Sequence, residues 1–177
     1  MKAALALAFI LPHLAPKAAD DLWQPYTSID SRIRFEMPIE PVEQQYQSSI
    51  GSLMRSFSCH KGDVTYEAIA MDMAVDLKMA INEVVSDAEE TVGRQVLDGS
   101  VEGFLEEMKG KATKTEYCRF NKLTCRTTIA ELPQKREATF KSVIGKDHVY
   151  VLIVTYPKGS NSESAVKKFY GSIRFEN

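Results

Sequence analysis

The chain is poor in the residues that carry chemistry. It has three histidines, three cysteines and one tryptophan among 177 residues. His13, His60 and His148 lie far apart, and no His-x-His, Cys-x-x-Cys or His-Glu-x-x-His spacing occurs. Protein metal sites draw their ligands from such short spacings, so neither a metal nor another cofactor is expected. There is no Gly-x-Ser-x-Gly elbow, phosphate-binding loop or dinucleotide fingerprint, and with them go the signatures of the common hydrolases, NTPases and nicotinamide enzymes. An excess of charge of one sign is also missing: the net charge is −2. Aromatics make up 9% of the chain and are not interleaved with basic residues, which argues against a nucleic-acid surface. No apolar run approaches the roughly 20 residues of a membrane-spanning helix. Internal repeats and low-complexity tracts are absent as well.

What is present begins with a distinct N-terminus. Lys2 precedes an apolar run, Ala3 to Leu11, which Pro12, His13, Pro16 and Lys17 stop. Ala15, Ala18 and Ala19 follow, then Asp20-Asp21. This is the order of a secretory signal peptide. Cleavage after Ala18 or Ala19 leaves Pro16 or Lys17 at the −3 position. We therefore expect a signal peptide over residues 1–19 and a single domain over 20–177. The mature protein would be periplasmic or secreted, with no stable membrane insertion. No cysteine follows the apolar run closely enough for a lipid anchor.

The remainder alternates with period two. Ile33, Phe35 and Met37 share a face and Pro38 ends their strand. Val42 to Gln47 is a weaker, polar strand before a turn at Ser48, Ser49 and Gly51. Leu53 to His60 and Val64 to Met71 flank Lys61-Gly62-Asp63 and read as a hairpin. The period then becomes helical. Val85, Ala88, Val92 and Val96 form one stripe, with Val84 at its edge, and Asp98-Gly99 reads as a stop. Ser100 looks like the cap of a second helix bearing Val101, Phe104, Leu105 and Met108 and closed by Gly110. Four strands follow: Thr113 to Phe120, Leu123 to Leu132, Arg136 to Ile144 and His148 to Tyr156. The run Val149 to Val154 is apolar on both faces, which places it centrally in a covered sheet. Ser160 and Glu163 form a capping-box pattern ahead of a short helix bearing Ala165, Val166, Phe169 and Tyr170. Ile173-Arg174-Phe175 reads as a last short strand. Hairpins dominate, so the expected class is α+β: a mostly antiparallel sheet with helices packed on its faces.

Several of these residues resemble a known group. Trp23-Gln24-Pro25-Tyr26 opens the pattern, followed by Ile33-Arg34-Phe35-Glu36-Met37-Pro38 and Pro41. Val64-Thr65-Tyr66-Glu67-Ala68, His148 to Leu152 and the closing Phe169-Tyr170-Gly171-Ser172-Ile173 complete it. The chain thus resembles the small bacterial envelope proteins of PsbP/DcrB-like fold. In those, a W-x-x-Y opening and a final F-x-x-S-F helix bracket the domain. Ser31 stands where the family has a turn glycine, and Ile173 where it has an aromatic. The resemblance implies adaptor or assembly subunits that bind other proteins, and it carries over no catalytic motif.

Asn121-Lys122 has the length of a two-residue turn, which would set Cys118 directly opposite Cys125. Opposed strand residues lie within disulfide reach. We therefore expect a Cys118–Cys125 bridge, with pairing of Cys59 to either as the alternative. Cys59 precedes His60, but neighbours on a strand point to opposite faces. An activated thiol at Cys59 would need a partner other than His60. The acidic residues Asp87, Glu89, Glu90, Glu106 and Glu107 read as solvated helix surface. Trp23 and Tyr26 either line an interface or pin the N-terminal segment to the domain. The expected function is a non-enzymatic protein-binding or assembly module of the cell envelope, its partner another envelope protein. The alternatives are a periplasmic small-molecule carrier or sensor, and a thiol-dependent enzyme using Cys59.

Overall fold

The computed structural model describes residues 22–47, 52–74, 78 and 87–176. The expected signal peptide, the turn at Ser48 to Gly51 and the start of the first helical stripe at Val84 and Val85 lie outside them. The described strands are β1 (Gln24–Ser28), β2 (Ile33–Met37), β3 (Val42–Gln47), β4 (Leu53–Lys61) and β5 (Val64–Asp72), then β6 (Lys111–Phe120), β7 (Leu123–Leu132), β8 (Arg136–Ile144), β9 (His148–Pro157) and β10 (Arg174–Phe175). Among the described residues two helices with defined bounds interrupt them: α1 (Asp87–Glu107) between β5 and β6, and α2 (Glu163–Ser172) between β9 and β10. The class is α+β with antiparallel sheets.

The larger sheet has seven strands in the order β3-β4-β5-β9-β8-β7-β6. Every neighbouring pair in it is antiparallel. The run that is apolar on both faces lies in β9, fourth of the seven, and is buried throughout. Its position follows from composition, since only a strand covered above and below can bury side chains of both parities. A smaller sheet, β1-β2-β10, lies beside it. Ile33, Phe35 and Met37 of β2 point from it into a cluster with Phe57, Tyr66, Ala68, Leu152 and Phe169. On the opposite parity, Ile69, Ala130, Ala138, Phe140, Val151 and Ile153 share a cluster with Val101 and Leu105 of α1.

One expectation is overturned here. Asp98-Gly99 does not stop a helix and Ser100 does not start one: α1 runs through all three. Leu97 and Val101 are fully buried and Leu105 nearly so, a single i, i+4, i+8 stripe that spans the supposed break. Gly99 is exposed, with open space around it. Its helix penalty of about 1 kcal/mol is smaller than the roughly 1.5–3 kcal/mol gained by burying one Leu or Val. The Ser100 hydroxyl donates back to the Leu97 carbonyl (2.9 Å) and meets Ser142 Oγ of β8 at 2.7 Å. That serine is helix-to-sheet contact.

A second correction concerns α2. Its N-cap is Ser162 and no side chain caps it. Ser160 instead meets Ser162, Oγ to Oγ at 2.6 Å, so the capping-box pairing of Ser160 with Glu163 does not form.

Candidate functional site

The paired motifs of the N- and C-terminal segments meet in space. Trp23 is half-buried and edge-on to Tyr66, ring centres 5.2 Å apart, with the Lys168 ammonium 4.9 Å above its ring. Tyr66 in turn meets Phe169 edge-on. Tyr26 stacks on Phe35 and touches Phe57, and its hydroxyl donates to Glu43 (2.9 Å). Ser172 accepts from the Glu36 amide of β2 (2.9 Å) and donates to the Phe169 carbonyl (2.7 Å). The serine of the closing motif therefore joins α2 to β2. Trp23 and Tyr26 are partly buried and are seated in this assembly by these ring contacts.

Cys118 and Cys125 are bridged, with Cα atoms 5.0 Å apart. The register of β6 and β7 sets them opposite each other across Asn121-Lys122, both of which have positive φ. Cys59 is free and buried. Burial pushes its thiol up, the reverse of what a nucleophilic cysteine needs. His60 points the other way, exposed, with its Nδ1 2.9 Å from Thr65 Oγ1.

The described residues form one further arrangement that the sequence did not announce. At one end of the large sheet, the β1–β2 turn meets the β8–β9 turn. With Arg55 of β4, Asp72 at the end of β5 and Lys78 they border an open cleft of about 470 Å³, lined by Asp30, Arg32, Arg55, Asp72, Lys78, Asp147 and His148. Asp147 accepts from Arg32 (2.7 Å) and from Lys78 (3.2 Å). The Lys78 hydrogen bond, helped by the Arg32 and Lys146 charges, holds its carboxyl below the ordinary value. Arg55 lies 3.5 Å from Asp30. His148 is buried, with Nε2 3.2 Å from Asp72 and Nδ1 without a hydrogen-bond partner among the described residues. Desolvation lowers its pKa against the pull of Asp72 and Asp147.

Local backbone makes the cleft. Arg32 sits at φ 49° and its amide closes the turn on the Ile29 carbonyl (3.1 Å). Ser31 is fully buried, and its carbonyl accepts from the Tyr150 hydroxyl (2.9 Å). Burial pushes that phenol up to about 12. Gly145 packs so closely on the Tyr150 ring that a Cβ there would come within 2.7 Å of it. Chemically the cleft can recognise a surface that carries both signs of charge: three basic and three acidic side chains face it around one histidine. Arg32 and Asp147 are 115 residues apart, and no local pattern links them.

No family model matches the chain, and no curated protein matches it. Solved structures do. The cyanobacterial PsbP protein (CyanoP) of Synechocystis sp. PCC 6803 is 10% identical over 86% of this chain and 92% of its own, with a TM-score of 0.57. PA94, a Pseudomonas aeruginosa protein of unknown function, is 12% identical over 82% and 91%, with a TM-score of 0.40. At such identities the likeness to the cyanobacterial protein speaks of architecture alone, and by that architecture the chain has the PsbP/DcrB-like fold.

Proposed function

We propose that this chain is an exported, non-enzymatic accessory module of the cell envelope that binds another protein through the charged cleft and the turn at its lip. The observation that carries the reading is the β1–β2 turn. Ile29, 80% exposed, stands next to Asp30 and three residues before Arg32 at the cleft. Protein interfaces combine an apolar anchor with arginine and a polar rim, and the Ile29 side chain, so exposed, buries little apolar area within the fold. In this reading the helices cover the two faces of the large sheet, so that turns and edges are left for docking. The Cys118–Cys125 bridge fits an oxidising compartment, in keeping with the apolar N-terminal run. No helix of the described residues is long and apolar enough to cross a membrane. A carrier would favour an enclosed, mostly apolar pocket, whereas this cleft is open and charged.

The test is cross-linked pull-down from envelope extract with the wild-type protein and with Ile29→Asp and Asp30→Arg variants. We expect one reproducible partner, depleted about tenfold by either variant, as loss of an interface anchor implies. Equal recovery by all three proteins would remove the cleft from the binding surface.

A further inference from the structure

The two edges of the seven-stranded sheet are built differently. β6 carries Lys111, Lys114, Glu116 and Arg119, and its register shifts between Ala112 and Lys114. Charges and bulges of this kind keep an edge from pairing with another chain. β3 at the other edge is exposed along all six residues and pairs with β4 without a shift. Its only charged residue is Glu43, and Val42 and Tyr46 are 61% and 41% exposed. Among the described residues no strand pairs with its outer side.

We propose that β3 pairs antiparallel with β3 of a second copy, joining two large sheets into one about a two-fold axis through Gln44. The sequence of the strand is complementary to itself in one register. A two-fold normal to the sheet keeps each side chain on its own face, so opposed residues must have the same parity. Centring on Gln44 then sets Val42 opposite Tyr46 at both ends and Gln44 opposite Gln44. Glu43 falls opposite Gln45. Apolar meets aromatic, amide meets amide, and a carboxylate meets an amide donor, with no like charges directly opposed. The Tyr26 hydroxyl occupies Glu43 Oε2, which leaves the other oxygen for Gln45 of the second copy. The contact is small, so the dimer is weak and its share of the protein rises with concentration.

Cysteine cross-linking reads the register directly. Cα atoms of an opposed pair lie roughly 4.5–5.5 Å apart, within disulfide range. Gln44→Cys should yield a disulfide dimer on mild oxidation, because the native bridge and the burial of Cys59 leave it the accessible thiol. Gln45→Cys alone should cross-link much less, yet form a mixed dimer with Glu43→Cys. Sedimentation at up to about 1 mM protein should show a monomer–dimer equilibrium that Val42→Lys, an exposed change, abolishes. Equal cross-linking at 44 and 45, or a monomer at every concentration, overturns the proposal. A dimer that persists in Val42→Lys does so too, since it would use another surface.

Discussion

The two faces of the large sheet solve the same burial problem with different side chains. One is aromatic: Phe35, Phe57, Tyr66, Tyr150, Phe169 and Tyr170 lie in a single cluster, with Trp23 and Tyr26 packed at its border. The other is mostly aliphatic: Val101, Leu105, Ala130, Ala138, Val151 and Ile153 surround Phe140, and Leu97, Ile144 and Val149 continue towards the sheet end. Alanines at 130 and 138 leave room for a long helix to lie close. Rings instead fill the uneven space between the large sheet, the small sheet and a short helix. They also bring polar groups with them. The Tyr170 hydroxyl donates to the Thr139 carbonyl (2.7 Å) and the Tyr150 hydroxyl to that of Ser31. Lys141 lies 4.6 Å from the Phe120 ring centre and 5.3 Å from that of Tyr170, where burial draws its pKa down. The rings of the aromatic face therefore fasten distant segments by their own hydroxyls, whereas on the aliphatic face a separate serine pair, Ser100 and Ser142, does so.

Truncation should separate the faces. Phe169→Ala removes the ring that joins α2 to Tyr66 and should lower unfolding free energy by about 3–5 kcal/mol. Leu97→Ala on the opposite face should cost roughly 2–4 kcal/mol. Urea unfolding of both variants checks the order, and a reversed order would make α1 the principal fastening. Next in size is the bridge at the border of the aromatic face. Replacing Cys118 and Cys125 by serine frees a loop with a sequence separation of 7, at a cost of roughly 2–3 kcal/mol. Thermal unfolding of the double variant measures it. Tyr170→Phe keeps the ring and loses the hydroxyl, for about 0.5–1.5 kcal/mol. A change no larger than the error of the urea midpoint would show that those carbonyls are fully satisfied within the sheet.

Acid should act on the two faces with opposite sign. His148 contacts Tyr150 on the aromatic side, and burial keeps its folded pKa below the ordinary 6.5. As pH falls through 6.5 the unfolded chain takes up the proton first, and stability declines until the folded histidine also titrates. Glu67 lies on the α1 side of β5. Burial raises its folded pKa above 4.5, with Ser56 donating to it in opposition. There the folded state binds the proton first, so stability rises as pH falls through the folded value and is fully restored below 4.5. His148→Gln should flatten the first effect and Glu67→Gln the second, in unfolding midpoints taken across that range. An unchanged pH profile in either variant would show that the group does not titrate differently on folding.

Legibility in the sequence tracks how local each decision is. β3, β7 and β8 are read to the residue, because alternation and turn residues are properties of adjacent positions. Cys118 opposite Cys125 is legible for the same reason: a two-residue turn leaves one register. The helix is where local reading fails. Asp98-Gly99-Ser100 carries every local sign of a stop and a new cap, and the deciding term, burial of Leu97 and Val101 under one continuous helix, depends on strands more than twenty residues further on. The cleft was not legible at all. Asp30 and Arg32, Asp72, and Asp147 and His148 are unremarkable polar residues at the ends of separate strands until the sheet order sets those strand ends side by side.

By itself the sequence determined the strands after β1, the hairpin turns at Lys61–Asp63, Asn121-Lys122 and Gly145–Asp147, the class and the Cys118–Cys125 disulfide, since each follows from periodicity or steric preference over a few residues; β1 acquires its strand character only by pairing with β2. Only the tertiary structure decided that β5 pairs with β9, that Trp23 meets Tyr66, that one edge is guarded and the other bare, and that Arg32 and Lys78 converge on Asp147. Those outcomes turn on burial shared between distant segments, a free energy that no single stretch of the chain contains.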